Sequence, residues 1–297
     1  MNATFAWLVV ASGFQFPEGP VWGPDGKIYL SSCNTPAVCR VDGKDKWVRY
    51  REVGCNGLSF DAEGALIVCD PKLKRLARID KGGEVRTLVD RFEGKPLNGP
   101  NDLTIAADGT IYFTDPEGDP KAYDRGAVYR LSPDGRLRRI VGSMRYPNGI
   151  ELDPAGGSLL VASTVDKAIY RVLLGVRGKP AAPPKWCDLT PLGEMVGPDG
   201  MTFDEEGNLY VAVFGAGMVV KIDPRGKIVE RFKTPGKNPT NCCFGGKDYK
   251  MLYVTETQRN ELLAAEMPVA GLRPAWERTP ASRAARESSR GQAPDKE

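Results

Sequence analysis

The stretch NDLTIAADGTIYFTD at residues 101–115 decides the fold, because its plan recurs along the whole chain. A polar residue opens each copy, followed by a short apolar strand, a turn rich in Asp, Glu and Gly, and a second apolar strand. Successive copies begin at intervals of roughly 40–50 residues. The six opening residues are Glu18, Asn56, Asn101, Asn148, Asp199 and Asn241.

Each copy continues into a third apolar segment, such as AVYRLS at 127–132, and the first five copies have a fourth, such as LRRIVG at 137–142. Four short strands per repeat, joined by turns such as ADG and EEG, are typical of a β-propeller blade. The sixth copy lacks a convincing fourth strand, and we expect the N-terminal run at 4–10 to supply it and to close the ring. The sequence therefore predicts an all-β fold over residues 1–272, a six-bladed β-propeller of four-stranded antiparallel blades.

Residues 273–297 differ from this body, because Trp276 is their one large apolar side chain among Ala, Ser, Pro and charged residues. Such a segment cannot bury enough surface to offset its ordering entropy, so we predict a disordered C-terminal tail. The chain carries a net charge of +3, and its body is nearly neutral, so nucleic acid is not an expected partner. No segment is long and apolar enough to predict membrane insertion. Either a monomer or a dimer is compatible with the sequence.

The 297 residues include no histidine. This excludes Ser-His-Asp and Cys-His catalysis, imidazole acid–base chemistry and His-ligated metals. The seven cysteines are an odd number without a CxxC pair, which favours a reducing compartment and a cytoplasmic location. If the protein is an enzyme, carboxylates, amides, Lys, Arg, Tyr or a metal must perform the chemistry.

The six opening residues occupy one register position in the strand expected to line the central channel, so their side chains should converge on its axis. Asn or Asp before Gly also serves turns, but this alternative does not account for Glu18. Two carboxylates in a confined channel repel unless a cation lies between them. Oxygen donors without nitrogen or sulfur suit a hard divalent ion, with Ca²⁺ favoured, then Mg²⁺ or Mn²⁺, and Zn²⁺ as a further alternative.

The phrases FPEGPVW, LNGPNDLTI, YFTDP, YPNGIELD, GPDGMTFD and TNCCFGG, taken in order, resemble the gluconolactonase/regucalcin-type family (senescence-marker, luciferin-regenerating-enzyme-like) over residues 16–257. The resemblance implies one catalytic divalent metal in the mouth of a six-bladed propeller. It implies Glu18, Asn148 and Asp199 as ligands, with Asn101 as a further ligand or substrate contact. The regucalcin branch has a sugar-acid-binding arginine where this chain has Gly99, which weakens transfer of that branch's substrate. The phrases GxxLNxPND and FTDP look more like the bacterial gluconolactonase branch.

These observations predict a metal-dependent lactonase that opens a sugar lactone, such as an aldonolactone. The metal would polarise the ring carbonyl, and Asp199 would deprotonate the attacking water as general base. The insertion at 116–126 is expected to overhang the channel mouth and to offer substrate contacts, with a solvated loop and a surface ion pair as the alternatives. The candidates are Glu117, Asp119, Tyr123, Arg125 and, from a neighbouring loop, Arg145.

Three other functions remain open at this stage. An esterase or organophosphatase would use the same metal site, as in diisopropyl fluorophosphatases and paraoxonases, which resemble this arrangement of Glu, Asn and Asp. A non-enzymatic calcium-binding or protein-interaction propeller is the second alternative, because propellers often serve as scaffolds. A strictosidine-synthase-like propeller is the third, and it does not require this metal set.

Overall fold

The computed structural model describes residues 6–43, 45–51, 53–175, 182–194 and 196–278. Within these ranges the strands form six four-stranded antiparallel sheets and one two-stranded hairpin. Five of the sheets are simple meanders in which each strand pairs with the next along the chain. The predicted six-bladed β-propeller of four-stranded antiparallel blades is thereby confirmed.

The N-terminal half of the chain builds the first three blades, each beginning with its innermost strand. Strand β1 (Leu8–Ser12) precedes blade one, which consists of β2 (Pro17–Trp22), β3 (Ile28–Ser32), β4 (Ala37–Asp42) and β5 (Asp45–Arg51). Blade two consists of β6 (Leu58–Phe60), β7 (Leu66–Asp70), β8 (Arg75–Ile79) and β9 (Val85–Val89), followed by the hairpin of β10 (Arg91–Phe92) and β11 (Lys95–Pro96). Blade three consists of β12 (Leu103–Ile105), β13 (Ile111–Asp115), β14 (Gly126–Leu131) and β15 (Leu137–Met144).

The C-terminal half builds the other three blades in the same way. Blade four consists of β16 (Pro147–Leu152), β17 (Ser158–Ser163), β18 (Ala168–Leu173) and β19 (Lys185–Asp188). Blade five consists of β20 (Gly197–Phe203), β21 (Leu209–Phe214), β22 (Met218–Ile222) and β23 (Ile228–Lys233). Blade six has three strands from this half, β24 (Pro239–Gly245), β25 (Met251–Glu256) and β26 (Glu261–Glu266). Three short 3₁₀ segments are Pro120–Arg125, Thr190–Leu192 and Ala275–Glu277.

Strand β1 completes blade six and closes the ring. It pairs antiparallel with β26, placing Leu8 opposite Ala264 and Ser12 opposite Glu261. The closing strand is confirmed, although it spans Leu8–Ser12 and not the expected 4–10, of which residues 4 and 5 lie outside the described ranges. Pairing β1 with β26 covers a sheet edge that would otherwise be exposed to other chains.

Apolar side chains from facing blades form the core. Between blades four and five, for example, Leu160, Leu209, Val211 and Val220 are fully buried in one cluster. Burying such a side chain contributes roughly 1.5–3 kcal/mol relative to leaving it in water. The packing between blades therefore fixes the spacing of the inner strands that carry the channel residues.

Hydroxyl groups tie neighbouring blades together at the channel rim. In three blades the hydroxyl belongs to the second strand or to the residue just after it, and in blade six it belongs to the inner strand. Each donates to a backbone carbonyl at or near the start of the next inner strand. The bonds run from Ser31 Oγ to Asn56 O (2.6 Å), from Thr114 Oγ1 to Asn148 O (2.7 Å), from Thr164 Oγ1 to Pro198 O (2.8 Å) and from Thr240 Oγ1 to Pro17 O (2.9 Å). The opening residues of the repeats are thus held in register around the ring.

The chain crosses the end of the ring after β26. Residues 273–278, which belong to the predicted tail, pack there against the propeller, and Ala275 is buried. Residues 279–297 lie outside the described ranges, so their disorder stays a prediction.

All seven cysteines lie in the described part of the chain and are free thiols. In that same part, none of the helical segments has the length and hydropathy needed to cross a membrane.

Candidate metal centre at the channel mouth

The structure brings the opening residues of the repeats to one end of the central channel. Glu18, Asn148, Asp199 and Asn241 lie in the innermost strands and are buried, although each is polar. Asn56 and Asn101 immediately precede the inner strands of their blades and are half-buried. Buried polar groups need partners or a ligand, so this cluster is the candidate functional site.

Glycine in the second position of the repeat permits this close convergence. A Cβ atom on Gly200 would lie 1.9 Å from the Asn241 side chain, and one on Gly57 would lie 2.3 Å from Asp102 Oδ1. Non-bonded atoms do not come this close together, so a larger residue at either position would push the inner strands apart. The glycines therefore set how close the polar side chains come to the axis.

Asp102 departs from this glycine pattern and adds a third carboxylate, which the sequence analysis did not single out. It occupies the second position of the third repeat, where four other repeats have Gly19, Gly57, Gly149 and Gly200. Its side chain is buried and accepts hydrogen bonds from Leu103 N (2.9 Å) and Asn241 Nδ2 (3.3 Å). The exception to the glycine register was the signal that could have identified it.

The pKa values of all three carboxylates are raised, and neighbouring carboxylates of the cluster contribute at Glu18 and Asp199. Burial is the main cause and raises the pKa of Glu18 to about 8, with the charge of Asp102 adding to the effect. Burial also raises the pKa of Asp199 well above its usual range, and the charges of Glu18 and Asp102 raise it further. Burial raises the pKa of Asp102 to about 7. The site thus concentrates negative charge where water cannot disperse it, and a cation would relieve that charge.

The amide of Asn241 is oriented as a donor to these carboxylates. Its Oδ1 accepts from Cys242 N (2.8 Å), while its Nδ2 donates to Asp102 Oδ2. The Asn241 side chain also lowers the pKa of Glu18 by hydrogen bonding. With its oxygen occupied by the backbone, Asn241 is better placed to hold carboxylates than to coordinate a metal.

Another buried carboxylate, outside this cluster, positions the loop that leads to Asn101. Asp115 accepts hydrogen bonds from Asn98 N (3.0 Å) and Gly99 N (2.8 Å). Burial raises the pKa of Asp115 to about 6, and these two bonds oppose the rise. Asn101 is fixed on its other side, where its backbone carbonyl accepts from Gly57 N (2.8 Å).

The predicted substrate contacts occupy different places. Tyr123 lies half-buried in the 3₁₀ segment Pro120–Arg125, and Glu117 is half-buried just before it. Arg125 is exposed at the end of the segment. Arg145 is exposed and forms an ion pair with Asp166 (3.0 Å), the surface arrangement considered as its alternative.

Tyr146 was not singled out from the sequence, yet it connects the insertion to the site. Its φ angle is 46°, a conformation unusual for a bulky residue. Its ring packs edge-to-face on Tyr123, with 5.5 Å between centroids. Burial raises the pKa of the Tyr146 hydroxyl, and the charges of Asp199 and Glu18 contribute. The hydroxyl is therefore near the carboxylates and remains a hydrogen-bond donor at neutral pH.

The donor chemistry of the cluster fits a hard cation. In the described ranges no three Asp, Glu or Cys side chains form a metal site by themselves. A cation would accordingly need amide oxygens as well as carboxylates, and the Asn148 side chain lies within hydrogen-bond reach of Asp199. Mixed carboxylate and amide oxygen donors are those that Ca²⁺ and Mg²⁺ prefer.

Comparison with known proteins places the chain in a family. Residues 16–258 match the family described as the SMP-30/Gluconolactonase/LRE-like region, and the chain belongs to it. A gluconolactonase of Zymomonas mobilis is 32% identical over 80% of this chain and 76% of its own length. Diisopropyl-fluorophosphatase of Loligo vulgaris is 28% identical over 82% of this chain and 86% of its own. The structure of a gluconolactonase from Xanthomonas campestris superposes with a TM-score of 0.77 at 28% identity, covering 88% of this chain and 89% of that one.

Proposed function

We propose that this protein is a metal-dependent lactonase that hydrolyses sugar lactones at the channel mouth. The observation that carries the proposal is the buried cluster of oxygen donors in a chain without histidine, centred on Glu18, Asp102 and Asp199. The similarity to a gluconolactonase supports the substrate class. We favour Ca²⁺ as the ion, because carboxylate and amide oxygens predominate in the cluster and the chain has no histidine.

Three residues would hold the cation, with a fourth beside it. Glu18 and Asp199 would supply charged oxygens, and Asn148 would supply its amide oxygen. The amide nitrogen of Asn148 donates to Thr164 Oγ1 (3.2 Å), so the oxygen is the atom left for a cation. Asn101 would act as a further ligand or contact the substrate.

In the proposed reaction a water molecule attacks the lactone carbonyl carbon, and Asp199 takes the proton that the water loses. A bound divalent cation would polarise that carbonyl and stabilise the negative charge on its oxygen. The bond between the carbonyl carbon and the ring oxygen then breaks. Asp199 returns the proton to the ring oxygen, and the product is the open hydroxy acid.

The proposal is tested by a substrate panel after chelation and after addition of single metals. D-Glucono-δ-lactone, p-nitrophenyl acetate and diisopropyl fluorophosphate are offered with Ca²⁺, Mg²⁺, Mn²⁺ or Zn²⁺. We expect lactone hydrolysis that is lost on chelation and restored by a divalent ion. Absence of lactone turnover with every metal would refute the lactonase.

The same panel resolves the alternatives. Faster hydrolysis of the fluorophosphate or the aryl ester than of the lactone would favour a phosphotriesterase or esterase, and the similarity to a diisopropyl-fluorophosphatase is the reason to include it. Calcium binding without turnover of any substrate would favour a non-enzymatic propeller.

We predict that Tyr146→Phe raises KM for D-glucono-δ-lactone by about ten-fold with a smaller effect on kcat, the size expected for one lost hydrogen bond. The reason is that the Tyr146 hydroxyl would donate to a ring hydroxyl of the substrate. δ-Valerolactone has no ring hydroxyls, so its kinetics should be unchanged.

The matched control is Tyr29→Phe, which removes a hydroxyl that donates to Asp25 (3.0 Å) in the turn between β2 and β3. That turn lies at the end of blade one remote from Glu18, so both lactones should react as with the wild type. Equal loss for both lactones in Tyr146→Phe would contradict a contact with the substrate hydroxyls.

The remaining assignments of Glu117, Tyr123, Arg125 and Arg145 as substrate contacts stay part of this proposal. Arg145 is the least supported of them, because its guanidinium already has a charge partner in Asp166. We further propose a small-molecule substrate without nucleic-acid or membrane partners, and a cytoplasmic location. The seven free thiols support that location, since disulfides form in oxidising compartments.

A further inference from the structure

The chain segment after β26 lies across the end of the channel opposite to the candidate metal centre. The inner strands begin at Glu18 and its neighbours, and this segment contacts the elements at their far ends. Leu272 N donates to Phe203 O (2.8 Å) in blade five, and Gly271 N donates to Tyr249 O (2.8 Å) in blade six. Gly271 packs so closely that a Cβ atom there would lie 2.0 Å from Phe244.

The side chains that follow reach blades one, two and three. Ala275 is buried in a cluster with Leu103 and Ile105 of blade three. Trp276 packs against a cluster shared by blades one and two. Residues 267–278, which we name the C-terminal plug, therefore contact blades one, two, three, five and six.

The plug is anchored by charge as well as by packing. Arg273 Nη1 forms an ion pair with Glu277 (2.7 Å), and its guanidinium lies over the Tyr249 ring, 4.8 Å from the centroid. Glu277 also accepts a hydrogen bond from the Tyr249 hydroxyl. These groups hold the plug to blade six through Tyr249.

A cavity of about 100 Å³ separates the plug from the metal centre. Asp102 and Asn241 line it on the side of the metal centre, and Arg278 lines it on the side of the plug. Glu151 of β16 lies between them and accepts from Thr104 Oγ1 (3.0 Å) and Leu152 N (3.1 Å). The channel thus contains a fourth carboxylate below the three at the mouth.

We propose that the C-terminal plug seals the channel and that Arg278 is the built-in counter-ion of Glu151. The plug leaves the candidate site open at one face only, and its guanidinium balances a carboxylate that the inner strands bury. This assignment does not depend on the proposed lactonase activity.

The charges around Glu151 support the assignment. Burial raises the pKa of Glu151 to about 7, and the charge of Arg278 opposes the rise. The other titratable or charged groups that line the cavity are Asp102, Cys242, Cys243 and Arg273. The charge of Glu151 also raises the pKa of Asp102. A counter-ion at Glu151 therefore reduces the repulsion between Glu151 and Asp102.

The test is a double-mutant cycle of Arg278→Met and Glu151→Gln, with urea unfolding measured on the full chain at about pH 6 and about pH 8.5. Because the folded-state pKa of Glu151 is raised, its contribution to stability is lost as pH rises through that pKa. Without Arg278 that pKa rises further, so the loss extends to higher pH. We expect Arg278→Met to increase the unfolding constant about ten-fold or more at the higher pH, and much less at the lower pH.

In the Glu151→Gln background the pH dependence of the Arg278→Met effect should disappear. Arg273→Met is the matched control in the same plug, and its effect should be equal at both pH values, because Arg273 pairs with Glu277. Arg278→Lys should retain most of the wild-type stability at the higher pH. An Arg278→Met effect that is equal at both pH values, or unchanged by Glu151→Gln, would overturn the assignment.

Discussion

Replacing Asp199 with Asn is expected to reduce kcat for D-glucono-δ-lactone by about a thousand-fold or more, within the range known for loss of a general base at a metal site. Asn keeps the size of the side chain and an oxygen donor, but it cannot accept the proton of the attacking water. The fold should be preserved, because Asp199 is surrounded by like charges and not by a structural counter-ion. Steady-state kinetics at saturating metal, together with circular dichroism, measure both effects.

Asp188→Asn is the matched control, because it makes the same chemical change at an exposed residue at the end of β19. Its activity should equal that of the wild type. Full activity in Asp199→Asn would remove Asp199 from the mechanism, and loss of the folded signal would show that the residue is structural.

Replacing Glu18 with Gln is expected to have opposite effects on the two forms of the protein. With Ca²⁺ in excess, the melting temperature should fall, since binding of Ca²⁺ weakens by about a hundred-fold or more when a charged donor is lost. With chelator present at about pH 8.5, the variant should melt about 3–6 °C above the wild type, because one of three mutually repelling carboxylates is gone.

The stability of the chelated protein should also depend on pH. The folded-state pKa of Glu18 is raised to about 8 from 4.5, so chelated wild type should lose stability as pH rises between those values. In Glu18→Gln that decline should be shallower. Isothermal titration calorimetry and thermal melts across pH measure the outcome. A variant that is less stable than the wild type both with chelator and with Ca²⁺ would contradict a carboxylate cluster built for a cation.

The fold could be predicted from the sequence because each blade repeats one local plan. The strand–turn–strand pattern of NDLTIAADGTIYFTD is specified by short-range rules, and repetition supplied the topology without any long-range reasoning. The register of the closing strand was harder to predict, since the pairing of Leu8 with Ala264 joins residues at opposite ends of the chain. Periodicity placed that strand within a few residues, and the packing decided its bounds.

The candidate site was predictable only where the repeat itself carries the signal. Glu18, Asn148 and Asp199 share a register position, so alignment of the copies found them. Asp102 was missed because it lies one residue beyond that position, where the other blades clear space with glycine. Tyr146 was missed because its relation to Asp199 arises between blades, through the position of a neighbouring loop.

The C-terminal plug shows a different limit of sequence reasoning. By composition alone, residues 273–278 resemble the polar chain that follows, because one alanine and one tryptophan do not form a hydrophobic periodicity. Their partners, Leu103, Ile105 and the blade-one and blade-two clusters, are distant in sequence and meet only once the ring is formed. Short segments that dock on a finished fold cannot be recognised from their own residues.

Closure of blade six by β1 imposes an order on biosynthesis. Phe16 N, just after β1, donates to Asn260 Oδ1 across 244 residues of chain. At ribosomal rates, the first strand would wait roughly 12–50 s for its partner to be made. During that interval β1 has no partner, and in crowded polysomes it could pair with a sister molecule. Ring closure is therefore the step at which pairing of β1 within its own chain competes with exchange of β1 between chains.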